Sequence, residues 1–239
     1  MIKEITSPQN NKIKHATSLK LGKYRQQYQE FLAEGYKSLE LALQAGIVKE
    51  IFTLKEIPNI KQDIVQYIVN LPLLKKLSST QNPEGVVFVC LKQNKKPKKL
   101  DKVVYLDKIS DPGNMGTIIR TAFAFNYDAV ILSDECCDPY NEKVVAASKG
   151  AIFLIPVIQQ DLSSLKEKRT IVVSTLSEKA QELNDVHINK PFVLVLGNEA
   201  HGVSESSLLL ADVLVKIDIS NIDSLNVSVA AGILMHHFR

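Results

Sequence analysis

Short, continuously apolar runs recur through the second half of the chain, and polar stretches separate them. Ile171–Val173 and Phe192–Leu196 are hydrophobic at every position, which is typical of strands covered on both faces in a parallel sheet. The segments between the runs carry helix patterns, so this half predicts an α/β domain. The predicted elements are the strands Val103–Leu106, Ala129–Leu132, Ile152–Val157, Thr170–Val173, Phe192–Leu196 and Val213–Ile217, and the helices Met115–Phe125, Asn141–Lys149, Leu162–Lys168 and one that begins near Leu225.

The first half shows a smaller alternation of strands and helices and predicts a second, small α/β domain. Its carboxylates are scattered, and it has no cluster of cysteine or histidine, so we expect it to bind substrate and not to catalyse. The predicted elements are helices from Ser7-Pro8 to about Leu19, Tyr36–Ala45, Lys61–Gln66 and Pro72–Ser79, the strands Phe31–Ala33, Val48–Leu54 and Val86–Leu91, and a short apolar run at Tyr67–Val69.

One change in composition separates the two halves. Five lysines lie between Lys92 and Lys99 around Pro97, a segment too charged to bury and interrupted for a helix. The sequence therefore predicts a substrate-binding domain over residues 1–92, a basic linker over 93–102 and a second domain over 103–239.

Composition limits the class of protein. At 239 residues the chain can bury a core, and no apolar run approaches the roughly 20 residues that span a bilayer. The polar N-terminus lacks a signal-peptide core, which argues against export and for a cytoplasmic protein. The three cysteines have no metal-ligand or disulfide spacing, so we expect reduced thiols and no metal.

Charge is distributed unevenly along the chain. Residues 1–100 hold 17 Lys and Arg against 8 Asp and Glu, whereas residues 101–239 hold 12 against 18. A basic first half suits a polyanion such as RNA, although a solvated lysine-rich surface has the same composition. Basic and aromatic residues also interleave over Gly22–Tyr28, a pattern that fits RNA contact or a helix that packs its tyrosines.

Polar segments follow each of the three late strands, and they predict one site. These segments are Ser174-Thr175, Gly197–Glu199 and Asp218–Ser224. Ligands of open parallel sheets bind outside the carboxyl ends of the strands, where helix N-termini offer free N–H groups. The chain has no G-x-G-x-x-G after an early strand and no Walker A sequence, so a nicotinamide or nucleoside triphosphate site is not predicted.

An arginine near a helix start adds to this site. Asn114 is suited to cap the helix over Met115–Phe125, and Arg120 in its second turn can reach back toward the helix N-terminus, where it would favour a phosphate or a developing negative charge. Two simpler interpretations stay open: Arg120 pairs with Asp111 on the surface, and Ser224 and Asn226 only start the last helix.

Three stretches in this order resemble the SpoU/TrmH family of RNA ribose 2′-O-methyltransferases, which belong to the SPOUT superfamily. They are DPGNMGTIIRTA (Asp111–Ala122), LVLGNEAHGVS (Leu194–Ser204) and SLNVSVAAGI (Ser224–Ile233). A weaker similarity around Phe31–Lys37 extends to the ribosomal-protein-like substrate-binding domain that often precedes this catalytic domain. The resemblance implies a mostly parallel sheet with helices on both faces and a deep trefoil knot.

The resemblance also implies S-adenosylmethionine as the methyl donor, a homodimer formed through the C-terminal domain and an RNA substrate. By position, the catalytic residues it implies are Asn114, Arg120, Glu199, Ser224 and Asn226, and the cofactor contacts it implies are Thr175, Leu176, Gly197, Ile217, Leu225 and Asn226.

The chain departs from the family pattern in the loop Ile217–Asp223. The proline and the glycine that usually precede the Ser-Leu-Asn motif are both absent. Asn221 can replace the glycine, since asparagine tolerates a positive φ better than most residues. The additional carboxylate of Asp218 can hold cationic groups of the cofactor or face water.

The function that follows is S-adenosylmethionine-dependent methylation of a ribose 2′-hydroxyl, with ribosomal RNA favoured over transfer RNA by the basic first domain. Because a guanidinium stays protonated, Arg120 is expected to anchor a phosphate and stabilise the forming alkoxide. The alternatives are a transfer-RNA enzyme, a methyltransferase for a base nitrogen, and a non-catalytic RNA-binding protein that assists ribosome assembly.

Overall fold

A computed structural model describes residues 1–93, 96–189 and 191–239. The strands are β1 (Ile2–Ile5), β2 (Glu30–Glu34), β3 (Val48–Thr53), β4 (Val65–Val69), β5 (Val86–Leu91), β6 (Lys102–Leu106), β7 (Ala129–Leu132), β8 (Val157–Gln159), β9 (Thr170–Ser174), β10 (Gln181–Glu182), β11 (Phe192–Leu196) and β12 (Val213–Lys216). The α-helices are α1 (Asn11–Ser18), α2 (Gly22–Tyr28), α3 (Tyr36–Gln44), α4 (Leu71–Leu77), α5 (Pro112–Ala124), α6 (Glu142–Ala147), α7 (Glu205–Leu209) and α8 (Val227–His237). Three 3₁₀ helices span Ala151–Phe153, Leu162–Lys168 and Leu183–Asp185.

The chain forms two compact units. The first comprises Met1–Gln93 and Tyr140–Leu154, and the second holds the other described residues. Tyr140–Leu154 joins the first unit because the Phe31 ring of β2 packs against Tyr140 and Phe153, at 4.7 and 6.1 Å between ring centroids. The sequence-based limits assigned this segment to the second domain. The predicted linker includes Asn94 and Lys95, which lie outside the described residues.

The first unit contains a mixed five-stranded sheet in the order β1-β4-β3-β5-β2. Strands β1, β4 and β3 pair in parallel, and β5 runs antiparallel to both β3 and β2. The helix predicted over Lys61–Gln66 is wrong: Val65–Val69 is β4, held by parallel pairing on both sides. Tertiary pairing overrides a weak local pattern here.

The helix predicted from Ser7 begins later, at Asn11. The Asn10 side chain accepts a hydrogen bond from the Lys12 N–H at 2.8 Å and caps this helix, whereas Ser7-Pro8 lie in the preceding turn. An asparagine is as good an N-cap as a serine, so Asn10 can start the helix in place of Ser7.

The second unit is built on a parallel sheet in the order β10-β12-β9-β11-β6-β7-β8. Consecutive residues of β11 face opposite sides, and both sides are buried: Val193 and Val195 belong to one hydrophobic cluster, and Leu194 between them is also inaccessible to solvent. Such burial on both faces is expected for a sheet sandwiched between layers, which confirms the α/β prediction.

One predicted strand of this sheet is shorter than expected. The apolar run Ile152–Val157 divides into a 3₁₀ helix at Ala151–Phe153, which follows Gly150 at φ 88°, and β8, which begins only at Val157. Periodicity alone does not distinguish a buried turn from a buried strand. The strands β1 and β10 and the helix α7 carried too short a pattern to be predicted.

A buried ion-pair cluster holds α1 against the first sheet. The carboxylate of Glu30 lies 2.7 Å from His15 Nε2 and 2.5 Å from Lys49 Nζ, and Glu30 is only 5% exposed. Burial alone raises the pKa of Glu30, but the hydrogen bonds from Lys49 and His15 outweigh it and hold this pKa below its usual range.

We expect Glu30→Gln to lower the free energy of unfolding by about 2 kcal/mol, because two charge-assisted hydrogen bonds weaken in a buried position. A carboxylate whose pKa is lowered in the native state stabilises it above the unfolded pKa, and this stabilisation is lost as the pH falls through the native pKa. The difference between wild type and variant should therefore be present near neutral pH and shrink in acid. Urea unfolding of both proteins at neutral and at acid pH measures this difference in the free energy of unfolding.

Glu40→Gln is the matched control, since Glu40 lies on α3 and is exposed. Equal destabilisation by the two substitutions, or a Glu30→Gln effect that does not depend on pH, would contradict this account.

Candidate active site

A cavity of about 580 Å³ lies at the carboxyl ends of β9, β11 and β12. These three strands are neighbours in the order β12-β9-β11 and run parallel, so the segments that follow them meet at one edge of the sheet. The lining residues include the predicted Thr175, Leu176, Gly197, Glu199, Ile217, Ser224 and Leu225. Seven of the predicted site residues, far apart in the sequence, therefore border one cavity.

Two further predicted residues join this cavity through hydrogen bonds. The side-chain amide of Asn226 donates to Asn114 Oδ1 at 3.0 Å, and the amide of Asn114 donates to Glu199 Oε1 at 2.8 Å. We call this Asn226-Asn114-Glu199 series the polar chain. It ties together the three sequence motifs, because each motif contributes one of its members.

The helix starts differ from the predicted ones. Asp111, and not Asn114, caps α5: its carboxylate accepts from the Asn114 N–H at 2.7 Å, and Pro112 is the first helical residue. At α8 the cap is Asn226, whose Oδ1 accepts from the Ser228 N–H at 2.9 Å, and Ser224 lies outside the helix. Because it does not cap α5, the side-chain oxygen of Asn114 is free to accept from Asn226.

Gly197 is fixed by close packing of the loop that follows β11. Asn198 and Gly202 exchange two backbone hydrogen bonds of 2.9 Å, which folds the loop back over Gly197. A Cβ atom on Gly197 would lie 2.3 Å from the Val203 nitrogen and 2.4 Å from the Gly202 carbonyl carbon. No side chain fits at this position.

Two polar residues that support the site were not among the predicted ones. Asp107 is 2% exposed and accepts from the Ser204 N–H at 2.8 Å and the Ser204 hydroxyl at 2.7 Å, so it anchors the end of the loop. Asn198 donates to the Lys108 carbonyl at 2.7 Å. The sequence does contain a signal for Asp107, because it is the first polar residue after a buried strand.

The loop that departs from the family pattern keeps a glycine-like turn. Asn221 has a φ of 70°, as expected if asparagine replaces the glycine. Asp223 lines the cavity, whereas Asp218 is not among the lining residues. His201, in the loop that follows β11, is exposed and also lines the cavity.

The cavity is acidic. Glu199 and Asp223 line it, and no lysine or arginine is among its described lining residues. Its apolar side chains include Leu176, Ile217 and Leu225. This combination suits a ligand that carries positive charge beside a flat apolar group.

Arg120 is the one predicted residue that a single subunit does not bring to the cavity. It is exposed on α5, is absent from the cavity lining, and makes no side-chain hydrogen bond or ion pair with any described residue. The alternative of a pair with Asp111 is not observed, since that carboxylate accepts from the Asn114 N–H.

The cysteines are free thiols, as expected. Burial raises the pKa of Cys137 to about 12, and it also raises the pKa of Cys136, so both stay neutral. Within the described ranges, no cluster of three or more histidine, cysteine or acidic residues could hold a metal ion. No helix there is both long and apolar enough to cross a bilayer.

A parallel sheet with a ligand cavity at three adjacent strand ends, bordered by two helix starts, defines a class of small-molecule-binding α/β domain. Comparison with known protein families identifies the family within this class. Residues 101–236 match the SpoU rRNA Methylase family, and residues 10–87 match the MRM3-like substrate binding domain.

Full-length relatives agree with these matches. The chain is 34% identical to the 23S rRNA (guanosine(2553)-2′-O)-methyltransferase RlmP of Bacillus subtilis, with all of both chains covered. It is 31% identical to an uncharacterized tRNA/rRNA methyltransferase of Synechocystis sp., covering 100% of this chain and 94% of the relative.

Solved structures match nearly the full length of the chain. The AdoMet-bound rRNA methyltransferase of Sinorhizobium meliloti superposes with a TM-score of 0.88 at 29% identity, covering 99% of this chain and 97% of that one. An RNA 2′-O ribose methyltransferase gives a TM-score of 0.82 at 27% identity, covering 98% and 97%. This chain belongs to the SpoU rRNA methylase family, which confirms the resemblance of its motifs.

We expect Gly197→Ala to destabilise the second unit by about 1–3 kcal/mol, because the new methyl group would force the loop backbone away. Urea unfolding, with hydrogen exchange of residues 198–204, measures the loss and locates it. Gly232→Ala is the matched control: a Cβ there meets nothing within 4 Å, and alanine is the better helix former. Equal stability of Gly197→Ala and wild type would show that the loop tolerates a side chain.

Proposed function

We propose that this protein transfers a methyl group from S-adenosylmethionine to a ribose 2′-hydroxyl of ribosomal RNA. The polar chain carries the proposal, because it joins one residue from each of the three motifs and ends at Glu199, which lines the cavity. The similarity to the 23S rRNA 2′-O-methyltransferase of Bacillus subtilis supports the reaction, and the basic residues 1–100 support an RNA substrate.

The cavity fits the cofactor in size and chemistry. Its volume of about 580 Å³ is within the range of ligand sites, and Leu176, Ile217 and Leu225 offer apolar contacts for an adenine ring. Glu199 and Asp223 suit the positive sulfonium and ammonium groups. Bound S-adenosylmethionine would supply an activated methyl group on sulfur.

The protein must then align the ribose hydroxyl with that methyl group and stabilise the charge that develops on oxygen as its proton passes to water, with S-adenosylhomocysteine as the other product. A guanidinium is protonated at neutral pH, so Arg120 serves as an electrostatic stabiliser and an anchor for the neighbouring phosphate. Asn114 and Asn226 hold Glu199 in place through the polar chain, and Ser224 orients the loop beside it.

A homodimer explains how Arg120 reaches a cavity. Arg120 and Phe123 are three residues apart on α5 and therefore share a face, and α5 packs against α8. Phe123 is 43% exposed, and Val229 and Ile233 of α8 are 52% and 40% exposed. We propose that this apolar face pairs two copies through the C-terminal domain and brings Arg120 to the partner's cavity.

We also propose the trefoil knot of the superfamily for the second unit. The position of β12 supports it: this last strand lies between β9 and β10, inside the sheet and not at its edge. The free thiols fit a cytoplasmic location.

We expect Arg120→Ala to lose methyl transfer by roughly 10²–10³-fold while S-adenosylmethionine binding is retained, because the side chain acts on the reacting oxygen and not on the cofactor. Transfer of a labelled methyl group to ribosomal or transfer RNA that lacks the modification, followed by nuclease digestion to detect a 2′-O-methylated nucleoside, measures activity and identifies the product. Isothermal titration calorimetry measures cofactor binding.

Lys168→Ala is the control, since Lys168 is an exposed cation outside the site. Near-normal turnover by Arg120→Ala would refute the role of Arg120. Absence of transfer to either RNA by the wild type, or a methylated base in place of a methylated ribose, would refute the proposed reaction.

Asp223→Asn should weaken S-adenosylmethionine binding by about three- to tenfold and weaken S-adenosylhomocysteine binding less, because only the first ligand carries the sulfonium charge. Calorimetric titration of both ligands gives the ratio of their dissociation constants. Asp218→Asn is the matched control, from the same loop but outside the cavity lining. An unchanged ratio in Asp223→Asn would show that this carboxylate does not select for the charged cofactor.

A further inference from the structure

Three aromatic rings lie together on α1 and α2 of the first unit. Tyr24 and Tyr28, one helical turn apart, have nearly parallel rings, with centroids 6.1 Å apart and an interplanar angle of 11°. The His15 ring meets Tyr28 edge-on at 4.6 Å, and its Nε2 is held by Glu30 at 2.7 Å. The buried carboxylate of Glu30 therefore holds the His15 ring against Tyr28.

The tyrosine rings are accessible from solvent. Tyr28 is 40% exposed and Tyr24 is half-buried, so neither belongs to the core, and the neighbouring Leu21 is 55% exposed. An alternative in which α2 only packs its tyrosines predicts buried rings. Partly exposed aromatic rings grouped in this way mark an interaction surface.

The charge around the rings suits a polyanion. Residues 5–29 contain five lysines and arginines and no aspartate or glutamate; of the five, Arg25 is buried and bonds the Leu19 and Lys20 carbonyls. Lys23 Nζ lies 4.8 Å from the Tyr24 ring centroid, and Lys23 and Lys14 are exposed. Lys12 is neutralised by Glu50 at 2.7 Å, and Glu30 is the carboxylate that faces His15.

We propose that Tyr24 and Tyr28 form a stacking platform for unpaired bases of the RNA substrate, with Lys23 contacting the adjacent phosphate. The RNA nature of the ligand rests on the proposed function. A base can stack on an exposed aromatic face only when it is not already stacked within a duplex. The platform therefore selects loops, bulges or single-stranded segments, and it is sequence-tolerant because every base has a π face.

The test compares Tyr24→Leu/Tyr28→Leu with the wild-type full-length protein. The probes are two fluorescein-labelled RNAs of about 12 nucleotides, one an unstructured single strand and the other a duplex. This length lies within the usual site size of proteins that bind single strands. Fluorescence anisotropy should show a loss of about tenfold or more in single-strand affinity and little change for the duplex. Tyrosine emission gives a second readout, since the chain has 7 tyrosines and no tryptophan: the single strand should quench it in the wild type and less in the variant.

Tyr36→Leu is the matched control, because Tyr36 is also 40% exposed but lies on α3. Tyr24→Phe/Tyr28→Phe keeps the rings and should retain single-strand binding, which separates stacking from misfolding. Equal losses for single strand and duplex would mean a purely electrostatic surface and overturn the platform, as would unchanged affinity in the leucine variant.

Cofactor binding separates this proposal from the proposed function. The leucine variant should bind S-adenosylmethionine as the wild type does, since the platform and the cavity belong to different units. Methyl transfer by the wild type together with unchanged single-strand binding by the variant would defeat the platform alone. Tight, platform-dependent RNA binding without any methyl transfer would defeat the proposed reaction and leave the platform standing.

Discussion

The parallel pairing of β12, β9 and β11 is the constraint on which the cavity depends. It places three segments that start at Thr175, Gly197 and Ile217 at the same sheet edge. Hydrophobic burial on both faces of β9 and β11 holds these strands in the core of the second unit. Chemistry on the loops is therefore positioned by a core that takes no part in it.

Hydrogen bonds then convert this edge into a defined site. The polar chain crosses from the start of α8 to the start of α5 and on to Glu199, so neither helix can shift alone without breaking a bond. Asp107 anchors Ser204 from below, and the absence of a side chain at Gly197 allows the loop to close. These contacts organise the site before any ligand binds, which lowers the entropic cost of binding.

The two units differ in charge, and each charge suits a different ligand. The cavity of the second unit is acidic and suits a cationic cofactor, whereas the first unit carries the excess of lysine that suits RNA. A single surface could not serve both ligands well, because the residues that attract phosphate would repel a sulfonium. The separation of charge along the sequence is therefore also a separation of binding tasks.

The sequence by itself determined the strands β6, β7, β9, β11 and β12 of the second unit, the three motifs and the family, because continuous apolar runs and rare residue combinations are local signals. It also anticipated the positive φ of Asn221. The tertiary structure decided which residues cap the helices, since Asp111 and Asn226 compete with equally good neighbours, and it joined Tyr140–Leu154 to the first unit through ring packing with Phe31. Long-range contacts of this kind, including the one that anchors Ser204 on Asp107, leave no periodic trace in a sequence because each depends on where two distant segments meet.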